Sequence, residues 1–176
     1  MERIGVFCAA SNNLEEHYYE MAEELGRWMG RNGKTLVYGG ANSGLMESIA
    51  QGVKSTGGHV VGVVPSILEE KRRKSAYVDE TLPCNDLNER KAILVEQSDI
   101  LVALPGGVGT LDEIFTVMAA HSIGYHKKRV VLFDLNGFWD GLYDVLQEMD
   151  RRHFVNVPLD KYLSVARSWD ELYAYL

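Results

Sequence analysis

The sequence predicts a Rossmann-like α/β fold, with a mainly parallel central sheet and helices on both faces of it. Three observations lead to this prediction. Short apolar runs, of which 100–104 is one, alternate along the chain with longer segments of helical periodicity. These runs are continuously apolar, which is typical of parallel strands covered on both faces. Glycine-rich turns at 39–44 and 105–109 each connect such a run to a helical segment, as in doubly wound proteins.

The composition is that of an ordinary globular protein. Hydrophobic residues make up 46% and charged residues 24% of the 176 residues, and we expect residues 1–176 to form a single domain. The formal net charge is −7, and the one dense basic stretch, 71–74, is expected to be a solvated loop or helix end. Because nucleic-acid binding needs a basic surface, we expect no nucleic-acid partner. Cys8 and Cys84 are too few for a disulfide framework.

The sequence shows no sign of a membrane segment or a metal site. The N-terminal residues lead directly into the first apolar run, and no apolar run approaches the ~18 residues that span a bilayer. We therefore expect no signal peptide, no membrane partner and a cytoplasmic location. The five histidines lack metal-ligand spacing, so we expect no metal and no other cofactor. His121 and His126 are expected at the surface or at an interface.

In the first half of the chain, the pattern predicts three strands and two helices. The strands are predicted at 4–8, 35–38 and 59–64, and the helices at 14–31 and from 45 to about 57. Ser11 and Asn12 follow the first strand. Either residue could bind a substrate hydroxyl or phosphate, or it could cap the helix that follows, and capping is the more common role. Residues 67–74 have no assigned element.

In the second half, four extended segments alternate with four helices. The extended segments are predicted at 77–82, 100–104, 130–133 and 162–165, and the helices at 85–97, 110–122, 138–151 and 169–176. Asn85 and Asp86 are the N-cap candidates of the first of these helices, and Ser168 is that of the last.

The turn at 105–109 predicts a phosphate site. Pro105 ends the pairing of the preceding strand, three glycines follow within four residues, and Thr110 is predicted to begin a helix. A glycine-rich backbone can approach a ligand closely, and the first N–H groups of a helix lack intrahelical partners and attract an anion. The residues expected to bind the phosphate are Gly106, Gly107, Val108, Gly109 and Thr110.

A structural interpretation of the same stretch stays open. Thr110 to Glu113 has the S/T-x-x-E pattern of a capping box, in which Glu113 bonds back to the N–H of Thr110. Glycine-rich strand-to-helix turns also occur in α/β proteins that bind nothing there. The spacing alone favours neither interpretation.

The helix predicted at 85–97 carries two cations on its apolar face. Leu87, Arg90, Lys91 and Leu94 fall at i, i+3, i+4 and i+7, which places them together. Burying two unpaired cations is costly, so they either pair with other groups or face a polar cavity. A shifted stripe through Ile93 would instead leave both cations solvated. Periodicity does not decide between these possibilities.

Three motifs resemble those of the LOG (Lonely Guy) family. Pro-Gly-Gly-x-Gly-Thr-x-x-Glu at 105–113 resembles the family signature, and Val-Tyr-Gly-Gly followed by Gly-Leu-Met, within 37–46, matches a second motif. Leu-Asn-Glu-Arg-Lys at 87–91 resembles the family's Met-His-x-Arg-Lys. Members of this family are cytokinin riboside 5′-monophosphate phosphoribohydrolases, long mislabelled as lysine decarboxylases. The resemblance covers about 4–146.

The resemblance implies a catalytic pair. Glu113 would stabilise the ribosyl cation of an oxocarbenium-like transition state or activate water, and Arg90 would contact the substrate and orient Glu113. Lys91 would add charge at the phosphate or pair with an acid. Asp112 is a weaker candidate for the carboxylate, because the helix dipole already explains an acid in the first turn.

The resemblance also implies the substrate and the partner. AMP or an N6-prenylated analogue would yield the free base and ribose 5-phosphate. The small-molecule nucleotide would further contact Gly39, Gly40 and Ser11, and an acid in the 69–70 region is a possible additional contact. We expect a homodimer whose pockets lie near the interface. Two departures from the family motifs, at Ala41 and Glu47, are expected to alter the pocket lining, which leaves base preference open, and Asn88 is a third departure whose effect is open.

Other functions stay open. Proteins of this fold bind the molybdenum cofactor as carriers, which need a phosphate cradle but no catalytic pair. A nucleotide sensor with vestigial catalysis is a further possibility. A lysine decarboxylase is disfavoured, because no motif for a pyridoxal-phosphate lysine is present.

Overall fold

A computed structural model of the chain describes residues 2–176, except for the side chain of Glu69. Its centre is a sheet of seven strands within residues 2–176, and every pair of neighbouring strands is parallel. The strands are β1 (Arg3–Phe7), β2 (Thr35–Tyr38), β3 (His59–Pro65), β4 (Glu80–Cys84), β5 (Ile100–Ala103), β6 (Val130–Phe133) and β7 (Leu163–Ala166). The predicted mainly parallel sheet is confirmed.

The order of the strands across the sheet is β4-β3-β2-β1-β5-β6-β7. The chain starts at β1 in the centre, proceeds outward to β4, and then crosses back to the other side of β1 with β5. The connections that follow β1 and β5 therefore lead away in opposite directions. In open parallel sheets, ligands bind in the crevice at the carboxyl ends of such a strand pair.

Helices cover both faces of the sheet, as predicted. They are α1 (Glu16–Arg31), α2 (Gly44–Ser55), α3 (Ser66–Glu70), α4 (Leu87–Glu96), α5 (Val108–Ser122), α6 (Asp140–Arg151) and α7 (Trp169–Tyr173), with a short 3-10 turn at Leu159–Lys161. The buried residues form a cluster on each face, one with Leu25 of α1 and Ile49 of α2, the other with Ile114 of α5 and Leu146 of α6. No helix within residues 2–176 is long and apolar enough to cross a membrane.

The predicted start of α5 is wrong by two residues. The N-cap is Gly107, whose carbonyl accepts the N–H of Leu111 at 3.0 Å. Glycine has no side chain, so no side-chain capping bond forms here. Helical hydrogen bonding therefore begins before Thr110, which lies buried in the first turn. The capping box between Thr110 and Glu113 does not form, because Thr110 is already inside the helix.

The remaining differences are small and lie at weakly marked ends. The extended segment predicted at 77–82 is the strand at 80–84. Among the described strands it lies at the edge of the sheet and pairs with β3 alone. Because few of its residues are buried, its apolar pattern is weak. The unassigned region contains α3 and an exposed basic loop at 71–74, as expected for a solvated segment. Of its two candidate acids, Glu70 is exposed, and the side chain of Glu69 lies outside the described residues. The single domain stays a prediction.

Candidate active site

A cavity of about 340 Å³ opens at the carboxyl ends of β1 and β5. This is the point where the chain reverses its direction across the sheet. The residues that line the cavity are Cys8, Ala9, Ala10, Ser11, Met46, Arg90, Gly107, Gly109, Thr110 and Glu113. The structure thus brings six of the predicted site residues together from three separate segments: Ser11, Arg90, Gly107, Gly109, Thr110 and Glu113.

The turn after β5 forms one wall of this cavity. The N–H of Ala9 donates to the carbonyl of Pro105 at 3.2 Å, which ties the turn to the end of β1. Gly106 lies behind the wall, because a Cβ there would meet the Thr110 hydroxyl oxygen at 2.1 Å. The N–H groups of Gly107, Val108 and Gly109 have no hydrogen-bond partner among residues 2–176. These donors at a helix N-terminus are suited to an anion.

Glu113 lies one turn into α5, with its side chain largely buried. The residue is 9% exposed, and it still lines the cavity. Burial raises the pKa of Glu113 to about 7, while the positive charge of Arg90 opposes this rise and the negative charge of Asp112 adds to it. Near neutral pH, both the acid and the carboxylate are therefore populated. A group in this state can accept or return a proton.

Arg90 reaches the cavity from α4, and the backbone of the sheet fixes its guanidinium. Its Nη2 donates to the carbonyl of Gly39 at 2.6 Å, and its Nε donates to that of Val63 at 3.2 Å. A Cβ on residue 39 would lie 1.9 Å from Nη2, so glycine is required for this approach. Gly39 therefore lies behind Arg90 and does not line the cavity.

Lys91 pairs with an acid, one of the two roles that the sequence left open. Its Nζ lies 2.8 Å from each carboxylate oxygen of Asp112, across the gap between α4 and α5. The Lys91 side chain is 15% exposed. Both cations of the helix at 87–96 are therefore partnered, and the interpretation with solvated cations is wrong.

In the other glycine-rich turn, at 39–44, backbone groups form hydrogen bonds with other parts of the protein. The carbonyl of Gly40 accepts the N–H of Ser75, and the N–H of Asn42 donates to the carbonyl of Arg73. At the start of α2, the N–H of Gly44 donates to Asn12 Oδ1 at 2.8 Å. The Asn12 side chain thus accepts a hydrogen bond from the start of α2, whereas α1 begins after Glu15 without a side-chain cap.

Four residues that line the cavity were missed from the sequence. Burial raises the pKa of the Cys8 thiol far above its usual range, so this thiol is a neutral part of the wall, beside Ala9 and Ala10. Met46 covers another part of the wall, and its place in the Gly-Leu-Met motif was the available signal. Apolar residues of this kind carry no chemical pattern of their own.

The three departures from the family motifs lie outside the cavity lining. Ala41 is buried and forms a bridge with Lys74, and Asn88 lines a separate groove between α4 and α5. Glu47 Oε2 is buried without a hydrogen-bond partner among the described residues. The expectation that Ala41 and Glu47 alter the pocket lining is therefore wrong for this cavity. No group of three or more His, Cys, Asp or Glu within residues 2–176 could hold a metal ion.

Comparisons with known proteins agree with the motifs. A family model described as "possible lysine decarboxylase" matches residues 46–176. A probable cytokinin riboside 5′-monophosphate phosphoribohydrolase of Oryza sativa subsp. japonica is 41% identical over 80% of this chain and 62% of its own length. A cytokinin riboside 5′-monophosphate phosphoribohydrolase of Arabidopsis thaliana is 35% identical over 92% of this chain and 75% of its own length. The chain spans 62–63% of the length of the first curated relatives that it matches.

Solved structures of the same fold include carriers of the molybdenum cofactor. The molybdenum cofactor binding protein of Rippkaea orientalis has a TM-score of 0.75 and 25% identity, over 99% of this chain and 94% of that chain. The molybdenum cofactor carrier protein of Chlamydomonas reinhardtii has a TM-score of 0.74 and 26% identity over the same shares. The three motifs, the family match over residues 46–176 and the identity to the plant enzymes agree, and the chain belongs to the LOG family.

Proposed function

We propose that this protein hydrolyses the N-glycosidic bond of a purine nucleoside 5′-monophosphate, releasing the free base and ribose 5-phosphate. One observation carries the proposal: a buried carboxyl group, a fixed guanidinium and the free N–H groups of a helix N-terminus share a single cavity. The names of the curated relatives support it, since they are phosphoribohydrolases of cytokinin riboside 5′-monophosphates.

The 5′-phosphate would bind at the N-terminus of α5. The N–H groups of Gly107, Val108 and Gly109 would donate to it, with the hydroxyl of Thr110 beside them. Holding the phosphate fixes the ribose relative to Glu113, which lies on the same helix. Binding energy gained far from the reacting carbon is thereby used for orientation.

Bond cleavage would take place between C1′ and the base nitrogen. As this bond breaks, its electron pair leaves with the base and positive charge develops on the ribose, which the Glu113 carboxylate stabilises. The oxygen of a water molecule then bonds to C1′, Glu113 takes one of its protons, and that proton ends on the departing base. The reaction consumes one water and needs no redox step.

Arg90 would act on the same substrate from the opposite wall. Because two backbone carbonyls hold its guanidinium, Arg90 is already in position before a substrate binds. A fixed positive charge next to Glu113 favours the ionised carboxylate, which is the form that stabilises the cation. AMP or an N6-prenylated analogue is the proposed substrate, with no nucleic-acid partner.

The protein would act as a homodimer in the cytoplasm. Large apolar side chains are exposed on α5 and in the loops near it, a pattern that marks interaction surfaces: Phe115, Ile123, Tyr125 and Phe154. A second copy covering this surface would lie close to the cavity, because α5 also carries Glu113. Light scattering of the wild type and of Phe154→Asp tests this, with dissociation in the variant as the expected result.

Base release tests the proposed reaction. AMP and isopentenyladenosine monophosphate are incubated with the wild type, Glu113→Gln and Arg90→Ala, and the free base and ribose 5-phosphate are measured. We expect both products from the wild type and a loss of about 10³-fold or more in each variant, with folding retained. Absence of base release from both nucleotides would overturn the proposal.

A carrier function is the second candidate, because solved carriers share the fold at TM-scores of 0.74–0.75. A carrier needs the N–H groups of the turn but not the pair formed by Glu113 and Arg90. Mass spectrometry of the purified protein separates the two functions. A retained pterin together with no base release supports the carrier, whereas base release supports the hydrolase.

A further inference from the structure

We propose that the ion pair between Lys91 and Asp112 is a positioning device, which holds the N-terminal part of α5 against α4 so that Arg90 and Glu113 face the same cavity. The inference deepens the proposed function and rests on it for its catalytic readout. It removes Lys91 from the candidate phosphate ligands and Asp112 from the candidates for the catalytic carboxylate.

The direct packing between α4 and α5 is sparse. Among the described residues of α4, Leu94 alone is fully buried. Between the two helices lies a groove of about 580 Å³, lined by Ala92 and Val95 of α4 and by Thr116 and Ala120 of α5, among others. A groove between two helices leaves their separation less tightly determined than interdigitated side chains would.

Lysine side chains fasten α4 at both ends of this groove. At the N-terminal end, Lys91 Nζ contacts both carboxylate oxygens of Asp112 at 2.8 Å. At the C-terminal end, Lys128 Nζ donates to the backbone carbonyls of Val95 and Glu96. The first of these contacts is the one next to the cavity.

Each partner of the ion pair is adjacent in the sequence to one of the two proposed catalytic residues. Lys91 directly follows Arg90 on α4, and Asp112 directly precedes Glu113 on α5. Because the backbone of the sheet holds the Arg90 guanidinium, loss of the pair would chiefly move Asp112 and, with it, Glu113. Because Glu113 and Arg90 must meet one substrate, an error of about 1 Å in their separation is enough to slow the reaction strongly.

The same pair balances the electric field at Glu113. Four ionisable groups face this carboxyl group: Cys8 at the end of β1, Arg90 and Lys91 on α4, and Asp112 on α5. Lys91 lowers the pKa of Glu113, and Asp112 raises it. Removing one partner therefore leaves the charge of the other uncompensated, and the two single variants have opposite effects.

Titration of the ligand-free protein tests the proposal without any substrate. The carboxyl carbon of Glu113 is followed by NMR in the wild type, Lys91→Met, Asp112→Asn and Lys91→Arg. We expect the pKa to rise in Lys91→Met and fall in Asp112→Asn, each by an amount on the order of 0.5–1 unit, and to stay near the wild-type value in Lys91→Arg. Lys54→Met, which breaks a 2.7 Å pair with Asp79 away from the cavity, is the matched control without a shift.

Kinetics separate a positioning pair from a phosphate ligand. For a positioning pair, kcat falls about tenfold in both Lys91→Met and Asp112→Asn while KM changes little. A rise of KM in Lys91→Met alone, with kcat intact, would overturn the proposal, as would a Glu113 pKa that does not move in opposite directions. If the wild type releases no base, the proposed function fails and the titration alone decides. If Lys91→Met does not fold, Asp112→Asn decides.

Discussion

The two glycine-rich turns, at 39–44 and 105–109, look alike in the sequence and differ in what their backbone donors do. Both follow a central parallel strand and lead into a helix at the same edge of the sheet. In the first turn, protein groups accept the N–H groups of Asn42, Gly44 and Leu45. In the second, the N–H groups of Gly107, Val108 and Gly109 have no partner among residues 2–176.

The glycines of the two turns also have different surroundings. A Cβ at Gly44 would lie 2.6–2.7 Å from backbone atoms of the segment after β1, so a neighbouring chain segment fills that space. A Cβ at Gly109 would meet nothing within 4 Å. Glycine spacing thus predicts that something approaches the backbone closely, and only an inventory of donors tells whether it is protein or ligand.

Glu113 is buried in the helix that follows the turn at 105–109, and its ionisation lowers the free energy of unfolding. The pH dependence of stability measures this effect. Because its pKa in the folded protein is about 7 rather than the usual 4.5, the stabilisation that Glu113 contributes is full below pH 4.5 and lost as the pH rises through 7. Relative to the wild type, Glu113→Gln should gain about 3 kcal/mol of unfolding free energy between pH 4.5 and pH 8.

Urea unfolding of both proteins across this pH range checks the value. Asp112→Asn, measured in parallel, keeps the Glu113 carboxyl group and should show a smaller gain. Parallel curves for the wild type and Glu113→Gln would show that Glu113 titrates normally.

In the turn at 39–44, Gly39→Ala should slow catalysis by displacing Arg90 from its place in the cavity wall. The added Cβ would lie 1.9 Å from Arg90 Nη2, so the guanidinium has to leave its two carbonyl partners. We expect kcat for AMP to fall about 100-fold, with nucleotide affinity largely retained. Gly141→Ala, at a glycine of α6 with no neighbour within 4 Å and no positive φ, controls for the loss of a glycine alone. Wild-type kcat in Gly39→Ala would show that Arg90 tolerates displacement.

In the turn at 105–109, Gly109→Ala should weaken nucleotide binding without lowering the stability of the fold. The new methyl group meets no protein atom, and an added alanine in the first turn of α5 favours the helix, so thermal stability should not fall. The methyl group would occupy space that the phosphate needs, and we expect a rise in Kd for AMP of about tenfold, measured by calorimetry. Unchanged affinity would place the phosphate elsewhere.

The smallest effect is expected for Asn12→Ala, which removes the side chain that accepts a hydrogen bond from the turn at 39–44. The N–H of Gly44 loses its acceptor, and the unfolding free energy should fall by about 1 kcal/mol. Ser11→Ala is the neighbouring control, because the Ser11 hydroxyl accepts a hydrogen bond from the N–H of Asn13 and none from α2. Equal stability losses in both variants would remove the distinction between the two turns.

Much of the architecture could be predicted because it depends on local patterns. The bounds of β2 and β6 agree with the predicted 35–38 and 130–133, since continuous apolar runs between polar residues mark both strands. The meeting of Arg90 and Glu113 in one cavity followed from motifs rather than from periodicity. Their roles stay predictions.

What could not be predicted depends on contacts between distant segments. The partner of Lys91 lies 21 residues further along the chain, and no periodicity connects the two. The partner of Asn12 lies 32 residues away, so a helix cap next in sequence was the natural but wrong assignment. The start of α5 was misplaced because Thr110 to Glu113 satisfies a capping pattern that the glycines before it make unnecessary.

The central place of β1 in the sheet has a consequence for how the cavity comes into being. Arg3 pairs with Thr35 on one side of β1, and Ile4 pairs with Ile100 on the other, so closing the second side brings together residues 96 positions apart. Such long-range closure is entropically slow. The cavity walls belong to both sides, and no fragment ending before β5 contains them. Turnover would therefore report the completion of folding, and recovery of activity after dilution from denaturant would follow the last docking step.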